Sequence, residues 1–348
     1  MRRKSFLQLR FISFLTCLFS LTYANAQNVT INGLKYYLFP DTHEAAINNG
    51  NTWSGELDIP SEVNYDGETF TVTGMTSSAF NQCGELTKVR IPKTINHIVH
   101  GTLSDDPNFT GQSDPDAMNP FNRCTALESI EVDEDNPIMS SEGGILYSKD
   151  KTRLYGYPAG MRQETFVIPE NVTWIGVGAI CYNHYLSSLT IPNSVTYLGA
   201  GVFYNCVNLK KVRLSESITY LEAYSFDKCE SLKFLDIPES VQGFGGSVFR
   251  WTHFEEIVIR GTFPEGLRDD TFDFMDDATI LYVQPSEIEK FKKVYNGTVL
   301  PLEEYTNGIR QIKSLQSSDL VFNLQGQRLT DKPRKGVYIQ NGKKVVVK

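Results

Sequence analysis

A period of 23 residues runs through the middle of this chain, and few folds can accommodate it. Ile168-Pro169, Ile191-Pro192, Leu214-Ser215 and Ile237-Pro238 follow one another at that interval, as do Asn183, Cys206 and Cys229. One unit reads Leu209-x-x-Val212-x-Leu214-x-x-x-Ile218-x-x-Leu221-x-x-x-Ser225-Phe226-x-x-Cys229. In Leu-x-x-Leu-x-Ile, alternate apolar residues fall on one side of a short strand. The following Pro ends that strand, because it has no N–H to give to a ladder. A single coil cannot bury its apolar set, so the coils must stack into one continuous core. Earlier coils carry the pattern with interruptions, at Ala79-Phe80-x-x-Cys83 through Ile91-Pro92 and at Pro120-Phe121-x-x-Cys124 through Val132. After Phe249 the register shortens by one residue, as a terminal coil tends to do.

Stacking turns each repeated position into a column. The corner residue of each coil, Cys83, Cys124, Asn183, Cys206 or Cys229, is expected to point inward and bond backbone groups that the bend leaves unpaired. Cys181 lies two residues off that register and reads as an ordinary core residue. Neighbouring thiols such as Cys206 and Cys229 sit about one strand spacing apart, and two readings stand: free structural thiols, favoured by Asn183 in the same column, or bridged pairs. A second column runs through Trp174, Tyr197 and Tyr220, with His97 before it and Gly243 after it, and Thr173, Thr196 and Thr219 run beside it. These rings and hydroxyls either stabilise adjacent strands or form an exposed strip for a ligand. Outward positions on the other strand, Arg90, Glu131, Thr190, Arg213 and Asp236, alternate in character like a solvated surface.

The stretches Ile191-Pro192-Asn193-Ser194-Val195-Thr196-Tyr197-Leu198-Gly199 and Val202-Phe203-Tyr204-Asn205-Cys206, with their echoes, resemble the BspA-like branch of bacterial leucine-rich-repeat proteins. Two further segments look like embellishments of that family: Tyr65–Thr73, a hairpin opening the array, and Gly143–Asp150 with Tyr157–Gly160, a hairpin inserted between coils. The resemblance implies a mainly β, right-handed leucine-rich-repeat solenoid and an association with adhesion at bacterial surfaces. It carries no catalytic residues over. Leu214-Ser215 lacks the usual Pro, Met75 stands where Ile-Gly is usual, and Val99–Asn119 is an insertion.

The two ends differ in character from the array. Arg2, Arg3 and Lys4, an apolar run from Phe11 to Leu21, and Ala24-Asn25-Ala26 have the order of a secretory signal peptide over 1–26. Residues 27–75 suit an N-terminal β cap and 76–283 the solenoid, with its insertion over 99–160. Residues 284–304 read as a capping helix, in which Ser286 and Glu289 are spaced as a capping box and Gly297 stands at the stop. Residues 305–348, with Asn341-Gly342 between apolar runs, read as a hairpin-bearing β module. That module resembles the C-terminal modules of exported Bacteroidetes proteins, and sorting, anchoring and simple packing all remain open for it.

Composition limits the partners. Lys and Arg total 33 against 41 Asp and Glu, which lacks the basic footprint nucleic acid demands. No segment approaches the ~18 apolar residues of a membrane-spanning helix. No His-Glu-x-x-His, Gly-x-Ser-x-Gly or phosphate-binding glycine loop occurs, and His43, His97, His100, His184 and His253 are scattered. The acidic stretch Asp105–Asp116 lacks the ligand order of a known calcium loop. The expectation is an exported, monomeric, non-enzymatic binding protein without cofactor or metal, presenting its repeats to an extracellular protein or glycan. The alternative is an accessory component of a surface complex that recognises a partner from the same cell.

Overall fold

The computed structural model describes residues 26–99, 119–263 and 265–305, and the backbone of short strands beyond them. The signal segment 1–25, the acidic insertion at 100–118 and the polar stretch 306–320 lie outside the described residues. Contacts divide the chain into two units, 1–304 and 305–348. In the second, Val321–Phe322, Arg328–Leu329, Gly336–Gln340 and Lys343–Val347 form an antiparallel sheet, and Gln340 pairs with Lys343 across the two-residue Asn-Gly connection.

The first unit is a solenoid whose coils pass through three sides. On the first side, Thr165–Val167, Ser188–Thr190 and Lys211–Arg213 pair in parallel with a step of 23 residues, for example Leu189 with Val212. Phe234–Ile237, Glu256–Ile259, Ile280–Val283 and Thr298–Pro301 continue as a four-stranded parallel sheet. The residues facing inward, Leu189, Leu235, Ile257 and Leu281, are fully or almost fully buried. Where Ser215 replaces Pro, its hydroxyl donates to Val195 O at 2.6 Å, so the polar side chain is buried without an orphaned group. The ladder reaches back beyond the expected start of the array, because Glu44–Ile47 and Ser54–Asp58 already pair in parallel with repeat strands.

The third side carries the turns. Ile180, Phe203, Phe226, Phe249 and Phe272 stack inward, with Phe226 and Phe249 at 6.2 Å and 11°. The N–H groups of Ile180, Phe203 and Phe226 each reach the carbonyl of the next coil. The core has two large clusters, one from Leu34 to Leu146 and the other, which includes this stack, from Ile145 to Val299. The inserted hairpin is the wall between them. Its strands, Met139–Glu142 and Ile145–Ser148, turn through Gly143 and Gly144, both left-handed. Strand alternation then sends Leu146 to one core and Ile145 and Tyr147 to the other.

On the second side, Arg153–Gly156, Trp174–Ile175 and Tyr197–Leu198 belong to one sheet, whereas Tyr220–Leu221 and Gly243–Phe244 form another. The break has a steric cause. After these short strands the repeat places Gly176, Gly199, Glu222 and Gly245. A Cβ on Gly199 would lie 2.4 Å from Val177 N, and one on Gly245 would lie 2.3 Å from Ala223 N. Coils on this side therefore approach too closely for any side chain. Glu222 brings a Cβ to that position, and the sheet is interrupted where its coil meets the one before. Gly199→Ala is accordingly expected to destabilise the protein by about 2 kcal/mol, read as a lower urea midpoint, since the obstructing atoms are backbone and have little room to give.

The C-terminal cap departs from the sequence expectation. Ser286 and Glu289 form no capping box: Pro285–Glu287 is a 3-10 turn and the helix, α1, spans Ile288–Val294 without a side-chain cap. Pro285 at the start favours the tighter turn. Glu287 turns inward instead and accepts from Phe263 N and Lys290 Nζ. Gly297 is not the stop either. Extended Tyr295 ends α1, and its hydroxyl donates to Asp276 O and Thr279 O. Phe291 on α1 plugs the stack against Phe263 and Phe272.

Candidate functional site

Three sets of residues converge along the coils. The first is the inward corner. Cys206 Sγ donates to Ile180 O at 3.1 Å and Cys229 Sγ to Phe203 O at 3.2 Å. Cys83 and Cys124 do the same to Asn51 O and Phe80 O. All five described cysteines are buried and free. Burial pushes the Cys206 and Cys229 thiols well up, which leaves them protonated and unreactive. Asn183 does more: its Nδ2 donates to Pro158 O and Met161 O, and its Oδ1 accepts from Tyr185 N and Leu186 N. Cys181 is buried as well, and bonds Asn122 Oδ1.

The second set is the aromatic row of the second side. Trp174 and Tyr197 stack at 5.5 Å and 10°, and Arg153 lies over the Trp174 ring at 5.2 Å. Strand pairing explains this, since Arg153, Trp174 and Tyr197 are in register. Tyr220 starts the next sheet. Its ring lies over Gly243, which has no Cβ to obstruct it, and its hydroxyl donates to Phe244 O. His97 does not extend the row: it packs on Gly74 in an earlier sheet, and the inserted Arg153 strand holds the place beside Trp174. Thr173, Thr196 and Thr219 are exposed. Thr196 Oγ1 donates to Thr173 O, and Thr173 Oγ1 to Thr152 O, both at 3.3 Å.

The third set was not apparent from the repeat pattern. Each outer turn contains a residue in the left-handed region: Tyr182, Asn205, Lys228, Trp251 and Phe274, with φ from 53° to 62°. A second such position, four residues earlier, holds Gly178 and Gly201, then Tyr224 and Ser247. Glycine meets this geometry without strain. A bulky residue there costs on the order of 1 kcal/mol or more, yet three of the five residues at the first position are aromatic. Such turns direct their side chains outward: Trp251 is 46% and Phe274 69% exposed.

These side chains are paired with cations. Arg250 lies over both Tyr224, at 5.4 Å, and Trp251, at 4.8 Å. Lys228 Nζ is 4.8 Å from the Trp251 centroid, and Arg123 lies over Tyr182 at 5.2 Å. Arg250 is fixed from below by Asp227, which accepts from Nε at 2.9 Å and from Nη2 at 2.8 Å. Asp227 is wholly buried, and burial raises its pKa although the guanidinium beside it opposes the shift. Its Oδ1 has no partner among the described residues. A buried ion pair of this kind is weak support for stability. What it does provide is a guanidinium held in one orientation between two ring faces. Beside it opens a cleft of about 290 Å³ whose walls include Arg123, Tyr182, Tyr204, Tyr224 and Arg250.

Among the described residues, no group of three or more His, Cys, Asp or Glu is arranged to hold a metal, and no helix is long and apolar enough to cross a membrane. The chain is similar to solved leucine-rich-repeat structures at the level of fold. A leucine-rich cell surface protein from Faecalibacterium prausnitzii is 19% identical over 78% of this chain and 98% of its own, with a TM-score of 0.46. The pneumococcal vaccine antigen PcpA is 16% identical over 79% and 98%, with a TM-score of 0.49. A leucine-rich repeat protein from Bacteroides ovatus is 18% identical over 78% and 67%, with a TM-score of 0.43. Among curated proteins, none matches the chain. Residues 68–142 and 159–274, more than half of the chain, match the model of the BspA type leucine rich repeat region in six copies. The coils, their corner column and this match together make the chain a member of the BspA-type leucine-rich-repeat family.

Proposed function

We propose that the chain is an exported, non-enzymatic binding protein that presents the outward residues of its coils to an extracellular protein or glycan. The observation that carries this reading is where the aromatic side chains lie. Trp174, Tyr197 and Tyr220 on one side, and Tyr224, Trp251 and Phe274 on another, are only partly buried or exposed, although the core has ample apolar residues of its own. Such strips supply apolar contact with a polar edge, as recognition surfaces do. Among the described residues, no nucleophile, acid and base come together beside either strip. The localisation rests on the signal-peptide pattern and on the family, and residues 305–348 then act as a sorting or anchoring module.

Capture of matrix proteins and glycans on an array tests the proposal, with the full chain run beside a Trp174→Ala, Tyr197→Ala, Tyr220→Ala, Thr173→Ala, Thr196→Ala, Thr219→Ala variant of unchanged circular dichroism. Saturable capture that drops at least tenfold in the variant assigns the ligand to the second side. Capture that persists in the variant moves the site to another face. Absence of capture from every extracellular source contradicts the proposal and favours a partner from the same cell.

A further inference from the structure

We infer that the outer-turn cleft around Tyr182, Tyr204, Tyr224 and Arg250 binds an acidic polysaccharide, with Lys228 and Trp251 extending the site. The inference rests on the reading of the chain as an extracellular binding protein and gives the ligand a chemistry and a place. The chain carries a net charge of −8, yet three cations, Arg123, Lys228 and Arg250, stand over the rings of this strip. The opposing charge that fixes Arg250 is Asp227, buried beneath it and turned away from solvent. Arg250 commits Nε and Nη2 to Asp227. Its Nη1 donors make no hydrogen bond among the described residues and suit a carboxylate or sulfate oxygen.

Repetition favours a sugar chain over a peptide. The rings recur from coil to coil, with Tyr182 and Tyr204 at 5.2 Å and Trp251 and Phe274 at 6.3 Å. Each coil thus contributes one ring to the strip, from differing positions of the turn, with cations between them. Successive side chains of an extended peptide point to opposite faces, so only every second residue would meet it. Sugar rings present apolar C–H faces that lie against aromatic rings, while their anionic groups reach the cations between. Placement in left-handed turns adds a second argument. Glycine serves the second left-handed position at Gly178 and Gly201, so fold alone gives no reason for Tyr224 there.

The left-handed positions also supply a clean test. Tyr182→Gly, Lys228→Gly and Trp251→Gly remove the proposed contacts while giving the backbone the residue it accommodates best, so the fold is retained. The full chain and this triple variant are run through native gels containing polygalacturonate, heparin, dextran or polyglutamate. The expected result is retardation by polygalacturonate, heparin or both, weakened by salt, with at least a tenfold weaker effect in the variant. Retardation by polygalacturonate alone assigns a carboxylate ligand, and by heparin alone a sulfate. Retardation that is as strong with dextran or polyglutamate, or that is unchanged in the variant, overturns the inference. If neither acidic polysaccharide binds while the array finds another extracellular ligand, the inference fails and the proposed function stands. If nothing binds in either experiment, both fail.

Discussion

Phe226→Ala is expected to lower the stability of the solenoid by about 3–5 kcal/mol, the range for emptying a buried aromatic site. Phe226 is fully buried and lies between Phe203, at 5.3 Å, and Phe249, at 6.2 Å. Truncation removes contacts in both directions along the stack. The coils above and below are held by backbone hydrogen bonds through the same turns, so they cannot collapse into the void. The measurement is the urea midpoint of the folded variant. A shift below 1 kcal/mol would mean that the stack is far looser than its geometry shows.

Asn183→Ala is expected to cost about 3 kcal/mol. Four hydrogen bonds converge on this one side chain, and all four partners are backbone groups at the corner beneath the inserted hairpin. Removing it leaves buried carbonyls and N–H groups unpaired, each costing about 1 kcal/mol or more. Asn183→Cys should recover little, although Cys206 and Cys229 hold the same place in the next coils. A thiol offers one weak donor, whereas this corner needs two donors and an acceptor with two lone pairs. Parallel urea titrations of both variants measure this. Full rescue by Cys would show that the corner needs only a small buried side chain.

The solenoid was legible because its signal is redundant. Leu189 and Leu235, two periods apart, are buried where the period places them, and Ile257 is buried after the one-residue shortening. The inserted hairpin was read at Gly143–Asp150 with Tyr157–Gly160, whereas Gly143-Gly144 form the turn of a hairpin that begins earlier, at Met139–Glu142. What escaped lies where the repeat changes residue type. At the outer-turn position the sequence runs Tyr182, Asn205, Lys228, Trp251, Phe274. No apolar or polar pattern survives there, because the shared property is a backbone angle. The usable signal was Gly178 and Gly201 giving way to Tyr224 in step with the period. The interrupted aromatic row has a similar origin: Glu222 stands where Gly176, Gly199 and Gly245 leave room, so a uniform column through Tyr220 required a spacing that the Glu222 coil does not keep. At the C-terminus, Ser286 and Glu289 had the spacing of a cap, but Pro285 set a tighter turn before the helix began.

In the proposed function the chain binds its ligand without transforming it. The direct test is to immobilise the full chain, saturate it with the extracellular ligand found on the array, hold it there, and then elute and weigh the ligand by mass spectrometry. The account predicts saturable capture and recovery of the ligand with unchanged mass. A ligand recovered cleaved or modified, in a manner that depends on the chain, would contradict it.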